Sequence, residues 1–483
     1  MRPSPIRALC VLSLCALLAA GCGVEQTLST PTAALPTPSP TSAPVSTATP
    51  VPTATSVPTP PSPAPTTPSP TRAPVSTATP LPTATSVPTP DVPEPERRRP
   101  ERPLLMAHYM PWYQTLEVSG VWGWHWTMEH FNPNLKDENG RPDVASYTMP
   151  LTGPYDSSDE TLLEYQVLLM HLAGIDGVIV DWYGIEDFWD YGTINAATQA
   201  LFAQVERAGL RFALCYEDQT IKHMVDNRHL PMQNVYPHGQ EVMRYLEETW
   251  FQSETYLTVL DRPVLLTFGP QYFKAGSDWE TLFSVLEVRP ALVTLDDHGV
   301  SADVSSFPWP PMWAGVDGVL SPERLEQYLT SFYREAERWE TLVAGAFPGF
   351  QDIYKEAGIA AEARSLDPRD GETFRYTLRL AVDQRPDVIQ LITWNDYGES
   401  TGIEPTEEFG YLYLEMVQET RRETDPDGFP FTADDLRLPL QLFELRQQRA
   451  GDDQANAQLD TISDAILSGD LDRARSLLAE LSE

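Results

Sequence analysis

Two carboxylates, Asp396 and Glu399, stand three residues apart behind the apolar run Leu391–Trp394. Like charges held that close repel, so the arrangement suits either a solvated turn or a shared task. The shared task would be acid–base chemistry. Two crowded acids split their protonation, and one stays protonated near neutral pH while the other ionises. Cleavage of a glycosidic bond needs that division: a proton donor for the leaving oxygen, and a second carboxylate as base or nucleophile.

Other apolar runs end in the same mixture. One gives His108, Tyr109, Trp112 and Tyr113; the next, Asp181, Trp182 and Tyr183; a third, Tyr216, Glu217 and Asp218; a fourth, Asp296, Asp297 and His298. The last gives Trp394 and Asn395 with the carboxylate pair, and the stretch Val121–His130 adds His125 and Trp126. A pyranose explains aromatics beside acids, because its C–H face stacks on rings and its hydroxyl rim bonds to Asp, Glu, Asn and His. The candidate sugar-binding residues are therefore Tyr109, Trp112, His125, Trp126, Asp181, Trp182, Tyr216, Glu217 and Asn395, with Asp396 and Glu399 catalytic. Any one of these aromatics packs in a core as readily as it carries a sugar, and Asp218 or Asp297 also suits a helix cap. The recurrence at several run ends carries the reading. His125, Glu129 and His130 lack the H-E-x-x-H order of a metal-binding helix, so no metal and no organic cofactor is expected.

Such residues need a scaffold that brings run ends together. Eight strand candidates follow one another: Leu104–Trp112, Asp176–Gly184, Arg211–Asp218, Pro263–Gly269, Ala291–Asp297, Met312–Leu320, Leu342–Phe350 and Val388–Asp396. Amphipathic helices such as Thr161–Ala173, Ile194–Ala208 and Pro322–Trp339 lie between them. Strands alternating with helices predict a (β/α)8 TIM barrel, whose functional face is the C-terminal end of the strands; an open doubly wound sheet is the alternative. The predicted barrel spans residues 103–425. Residues 426–483 have helical spacing and predict a small helical appendage, packed on the barrel or self-standing.

The remainder concerns placement. The chain has 483 residues, 46 Pro and a formal net charge of -36, which disfavours a nucleic-acid partner. Arg2 and Arg7 precede an apolar stretch, Ala8–Ala20, too short to span a bilayer stably, and Gly21 leads into Cys22. This resembles a bacterial lipoprotein signal, residues 1–21, with Cys22 lipidated and the protein extracytoplasmic, anchored to the bacterial cell membrane. Residues 22–102 predict a Pro/Thr/Ser-rich stalk in which Pro38–Pro60 returns almost unchanged as Pro68–Pro90. At about 3.1 Å per residue, its Pro-dominated part, Pro31 to Pro95, reaches up to roughly 200 Å as polyproline-like chain. Beyond Cys10, Cys15 and Cys22 the body holds Cys215 alone, so no internal disulfide is available to it.

Several motifs together resemble glycoside hydrolase families 71 and 99 over Leu104 to Glu419: "AHYMPWY", "WHW", "GPYDSSD", "GIDGVIVDWYG", "CYED" and "ITWNDYGESTGIEP". The resemblance implies a (β/α)8 barrel and an endo-α-mannosidase, endo-α-mannanase or α-1,3-glucanase activity on a polysaccharide or glycan. In family 99 the last motif holds Glu-x-x-Glu. The second acid, the general acid/base, maps to Glu399, and the first, a base acting on the sugar 2-hydroxyl, maps to Asp396. Asp replaces Glu at that position, and "NDYGES" is closer to the family 71 form. A catalytically idle carbohydrate-binding barrel is the rival reading, and it has no need of the intact pair.

Overall fold

The computed structural model describes residue 100 and residues 102–296, 299–300 and 303–482. The signal segment, Cys22, the stalk up to residue 99, Asp297 and His298 lie outside the described residues.

Eight parallel strands form the scaffold: β1 Leu104–Tyr109, β2 Gly177–Trp182, β3 Arg211–Tyr216, β4 Arg262–Thr267, β5 Ala291–Leu295, β6 Asp303–Phe307, β7 Val343–Ala346 and β8 Val388–Leu391. Hydrogen bonds run in the order β6-β5-β4-β3-β2-β1-β8-β7. Met106 of β1 lies in register with Gly177 on one side and Gln390 on the other. The circle is nearly closed where β6 approaches β7. There the Ser305 hydroxyl donates to the Thr341 carbonyl at 2.8 Å. The expected TIM barrel is thus present. Its strands are apolar along their length because both faces are covered, as β2 shows with all six residues buried. Strand approach also sets residue size: a Cβ on Gly177 would sit 1.9 Å from the Arg211 carbonyl oxygen.

One strand was misplaced by sequence reasoning. The sixth is Asp303–Phe307, not Met312–Leu320, whose Trp313, Val316 and Val319 are more than half exposed. The true strand reads as polar, yet Ser305 and Ser306 are buried and satisfied, Ser306 by the Thr294 hydroxyl at 2.8 Å. Paired hydroxyls let a buried strand escape a search for apolar runs.

The helices outside the barrel are α1 Glu160–Ala173, α2 Tyr191–Arg207, α3 Gln219–Asp226, α4 Val235–Leu246, α5 Gly276–Phe283, α6 Pro322–Ala336, α7 Glu372–Asp383 and α8 Leu412–Thr424. Their ends follow local chemistry. Asp159 caps α1 by accepting from Thr161 N, and Gly174 ends it in the left-handed region at φ 79°. The tail adds α9 Leu438–Gln448, α10 Asp453–Leu467 and α11 Leu471–Ser482. It packs on the barrel rather than standing alone: Arg446 pairs with Glu164 of α1, and Arg207 of α2 reaches Asp464 at 2.9 Å. No helix among the described residues is long and apolar enough to cross a membrane.

Candidate active site

Two long connections at the C-terminal end of the barrel build the site. Residues 110–159, between β1 and α1, fold over the strand ends, and residues 392–411, after β8, carry the carboxylate pair. Asn395 ties these segments together. Its Oδ1 accepts from Met110 N at 2.8 Å, and its Nδ2 donates to Met110 O and Tyr155 OH, both at 3.0 Å. Tyr113 OH donates to Asn395 O at 2.9 Å and accepts from Tyr397 N at 3.1 Å. Below them Glu404, 1% exposed, accepts from Tyr397 OH at 2.6 Å, Tyr155 OH at 2.9 Å and Gln166 Nε2 at 2.7 Å. Trp126 stacks on Tyr397 and donates to Tyr155 O. The loop bearing the pair is therefore held in one shape before any ligand arrives.

Asp396 accepts from Glu399 N at 3.1 Å, while its own amide donates to Thr393 Oγ1 at 2.8 Å. Tyr354 OH donates to Glu399 Oε1 at 3.3 Å. Asp396 and Glu399 are 3% and 5% exposed. Burial pushes both carboxyls well above the usual range, Asp396 to about 7 and Glu399 to about 8, with the Asp396 charge adding to the rise at Glu399. Two further acids share the rim. Asp181 at the end of β2 and Glu217 after β3 are raised by burial and then by neighbouring acids, Asp396 acting on Asp181 and Asp181 on Glu217. None of these four carboxylates is ion-paired with a described residue. The arrangement can hold one acid protonated beside an ionised one at neutral pH.

The cleft has two lobes that meet at Trp112, Glu217 and Asp396. One runs past His125, Tyr183, Trp189 and Tyr191, the other past His108, Asp181, Glu399, Phe268, Trp309 and Trp313. Trp112 stacks face to face on His125 with centroids 4.1 Å apart.

Of the residues expected from sequence, Trp112, His125, Asp181, Glu217, Asp396 and Glu399 line the cleft. The other five are packed away from it. Tyr109 points outward and bonds Gln166 of α1 at 2.6 Å. Trp182 lies flat on Tyr245 and bonds Asn195 of α2, and Tyr216 packs against Trp182. Trp126 and Asn395 brace the loops as described. Alternation explains the outward set: next to an inward Asp181 or Cys215, the neighbour on the same strand faces the helices. Asp218 precedes α3 without capping it. Its carboxylate accepts from the amides of Gln271, Tyr272 and Phe273, each at 2.8 Å, and fixes the loop after β4.

Sequence reasoning missed Glu404, Tyr354, Trp309 and the aromatic wall of Trp189 and Tyr191. Glu404 lies inside the "GIEP" of the last motif, which was its available signal. His108, Asp181 and Cys215 bring one potential ligand atom each within 4.8 Å of one another, a cluster also absent from the sequence reading.

No family model matches the chain. A glycoprotein endo-alpha-1,2-mannosidase-like protein of Danio rerio is 22% identical over 343 residues, 64% of this chain and 72% of that relative. Among solved structures, a GH99 endo-alpha-mannosidase from Bacteroides thetaiotaomicron aligns at 15% identity and a TM-score of 0.49, covering 68% of this chain and 98% of its own. A glycoside hydrolase-like protein aligns at 13% identity and a TM-score of 0.46, covering 68% and 96%. The curated relative agrees with the family 99 side of the resemblance carried by the motifs.

Proposed function

We propose that this chain is a glycoside hydrolase of the family 99 type that cleaves α-glycosidic bonds within a glycan or polysaccharide, with an α-mannoside as the favoured substrate class. The single observation that carries the reading is the buried, unpaired Asp396/Glu399 couple at the junction of two aromatic lobes. Glu399 donates a proton to the leaving oxygen, and Asp396 acts as base, the roles the motif resemblance assigns to them. Trp112, His125, Asp181 and Glu217 contact the sugars on either side. Lobes on both sides of the pair suit a chain passing through the cleft, and hence endo action. The likeness to the mannosidase-like relative supports mannose over glucose. The chemistry needs no metal or organic cofactor.

The test is incubation of the purified protein, tail included, with α-mannan, α-glucan and glycan panels, with products read by mass spectrometry and the anomeric configuration by NMR. Internal cleavage of an α-mannan is the expected result. Tight binding without any cleavage would favour the carbohydrate-capturing barrel instead.

The same proposal places the barrel outside the cell on a stalk, held by a lipid on Cys22. The basic, apolar lead into "AAGC" supports this. Cys22→Ser should move the protein from the membrane fraction to the soluble one, and an unchanged distribution would refute the anchor.

A further inference from the structure

We propose that His108 and Asp181 form a hydroxyl clamp on the floor of the cleft, gripping one hydroxyl of the sugar seated beside Asp396 and so setting which sugar is accepted. The inference rests on the glycosidase reading above and deepens it, adding a residue with no role in that reading, His108.

Both side chains line the same lobe, His108 from β1 and Asp181 from β2, and they are 0% and 3% exposed. His108 Nε2 and Asp181 Oδ1 are each buried with no hydrogen-bond partner among the described residues. Leaving such atoms unpaired is costly, so two of them opening on one cavity point to a ligand that pairs both. A ring nitrogen of His108 and a carboxylate oxygen of Asp181 lie within 4.8 Å of each other. A single hydroxyl making two ordinary hydrogen bonds spans about 4.5 Å, which fits that gap.

The polarity is also complementary. With the Gln390 amide assigned so that its Nε2 lies 2.6 Å from His108 Nδ1, Nδ1 accepts and Nε2 carries the proton. Nε2 then donates to the sugar oxygen, and Asp181 accepts the sugar proton. A sugar hydroxyl can donate and accept at its one oxygen, as this pair requires. Burial keeps the imidazole neutral by pushing its pKa down to about 3, which preserves this donor pattern across the working pH range. Trp309 packs edge-to-face on the imidazole, ring centroids 4.9 Å apart, and fixes the ring. Cys215 stands near both groups, and a nitrogen, oxygen and sulfur set also suits zinc. Cys215 does not line the lobe, however, whereas both clamp groups do. That favours a ligand arriving through the cleft.

The experiment measures kcat/KM for an α-1,2-linked manno-oligosaccharide and its monodeoxy derivatives, with wild type, His108→Ala, His108→Gln and Asp181→Asn. Zinc content and the absorption spectrum after cobalt addition are recorded in parallel, and melting temperatures confirm folding. Wild type should reject one monodeoxy derivative by about 100-fold or more, since a buried polar pair left empty discriminates strongly. His108→Ala and Asp181→Asn should bring that ratio within about tenfold and leave the ratios at other positions unchanged. His108→Gln, which restores an N–H donor, should recover part of it. The clamp is overturned if His108→Ala keeps the wild-type ratio at every position. It is equally overturned by stoichiometric zinc together with a Cys215-dependent cobalt–thiolate band. If oligosaccharides are cleaved with no positional discrimination, the clamp alone falls. If wild type cleaves none of them and Glu399→Gln binds none, the glycosidase reading falls and takes the clamp with it.

Discussion

The two ends of the barrel bury charge in opposite ways. At the N-terminal end Arg421 is fully buried, and every part of its guanidinium is engaged. It bonds Gly174 O at 2.8 Å, Pro103 O at 3.0 Å and the Asp176 carboxylate. Asp176 also accepts from Leu105 N at 2.7 Å and pairs with Arg102 at 2.8 Å, and Arg102 reaches Asp425 at 2.8 Å. At the C-terminal end Asp181, Glu217, Asp396 and Glu399 are buried without an ion pair to any described residue, and burial raises all four carboxyls, the Arg364 charge only partly offsetting the rise at Glu399. Buried charge that is paired fastens strands together. Buried charge left unpaired works against folding, and such groups concentrate where chemistry is done.

The largest expected effect breaks the unpaired end. Glu399→Gln cannot donate a proton, so turnover of a substrate with a poor leaving group should fall by roughly two to four orders of magnitude. An activated aryl glycoside needs less protonation and should lose less. Asp396→Asn should harm both substrates. The pH profile follows from the same pair. Activity needs Asp396 ionised and Glu399 protonated, so the optimum should lie between about 7 and about 8. In Glu399→Gln, assayed on the aryl substrate, the alkaline limb should vanish and the acid limb remain. Full activity in both variants on a verified substrate would move the chemistry to Asp181 or Glu217.

Neither of these changes should destabilise the fold. A carboxyl whose folded pKa is raised binds more protons folded than unfolded. Stability is therefore lost as pH rises from the ordinary carboxylate range through the folded value. The neutral variants escape that loss, and at pH 8 their melting temperatures should equal or exceed that of wild type. At the other end the sign reverses. Arg421→Met leaves two buried carbonyls without a donor and Asp176 with Arg102 as its remaining cation, and should cost about 1–3 kcal/mol per stranded carbonyl in denaturant unfolding, with activity per folded molecule retained. A loss comparable to that at an exposed arginine would mean the paired network is ornamental.

Between these extremes lies Glu404, an acid at the functional end that is satisfied by three neutral donors rather than by a cation. Glu404→Gln replaces an acceptor by a donor against two tyrosines and Gln166. We expect a loss of about 1–3 kcal/mol, read by thermal unfolding, because one buried donor is left unmatched. An unchanged melting temperature would show that Gln166 reorients to compensate.

Much of the barrel was legible in the sequence because seven of its strands are apolar runs bounded by polar turns. The sixth was hidden by serines whose hydroxyls are satisfied by Thr341 O and Thr294. At the site, Asp396 and Glu399 stood out because acids directly after an apolar run have few structural uses. Asp181 and Glu217 were legible for the same reason. Tyr109, Trp182 and Tyr216 were not separable from them, since adjacent residues on a strand point to opposite faces and position alone does not say which is inward. Glu404 and Tyr354 depend on contacts between distant segments, which no local pattern encodes.

The burial of α1 has a practical consequence. Eleven of its fourteen residues are buried, among them Leu162, Leu163, Tyr165 and Leu168. A helix on the outside of a barrel ordinarily keeps one wet face, but here the tail covers it: Tyr165 meets Phe443 at 5.5 Å, and Glu164 is held by Arg446. Polypeptide ending near residue 425 would thus display a greasy ridge beside an acidic side chain that has lost Arg446 and keeps only Arg207, 3.4 Å away. Such a truncated form should precipitate or self-associate during purification even though every strand of the barrel is intact, so the segment after α8 belongs in any recombinant version meant for assay.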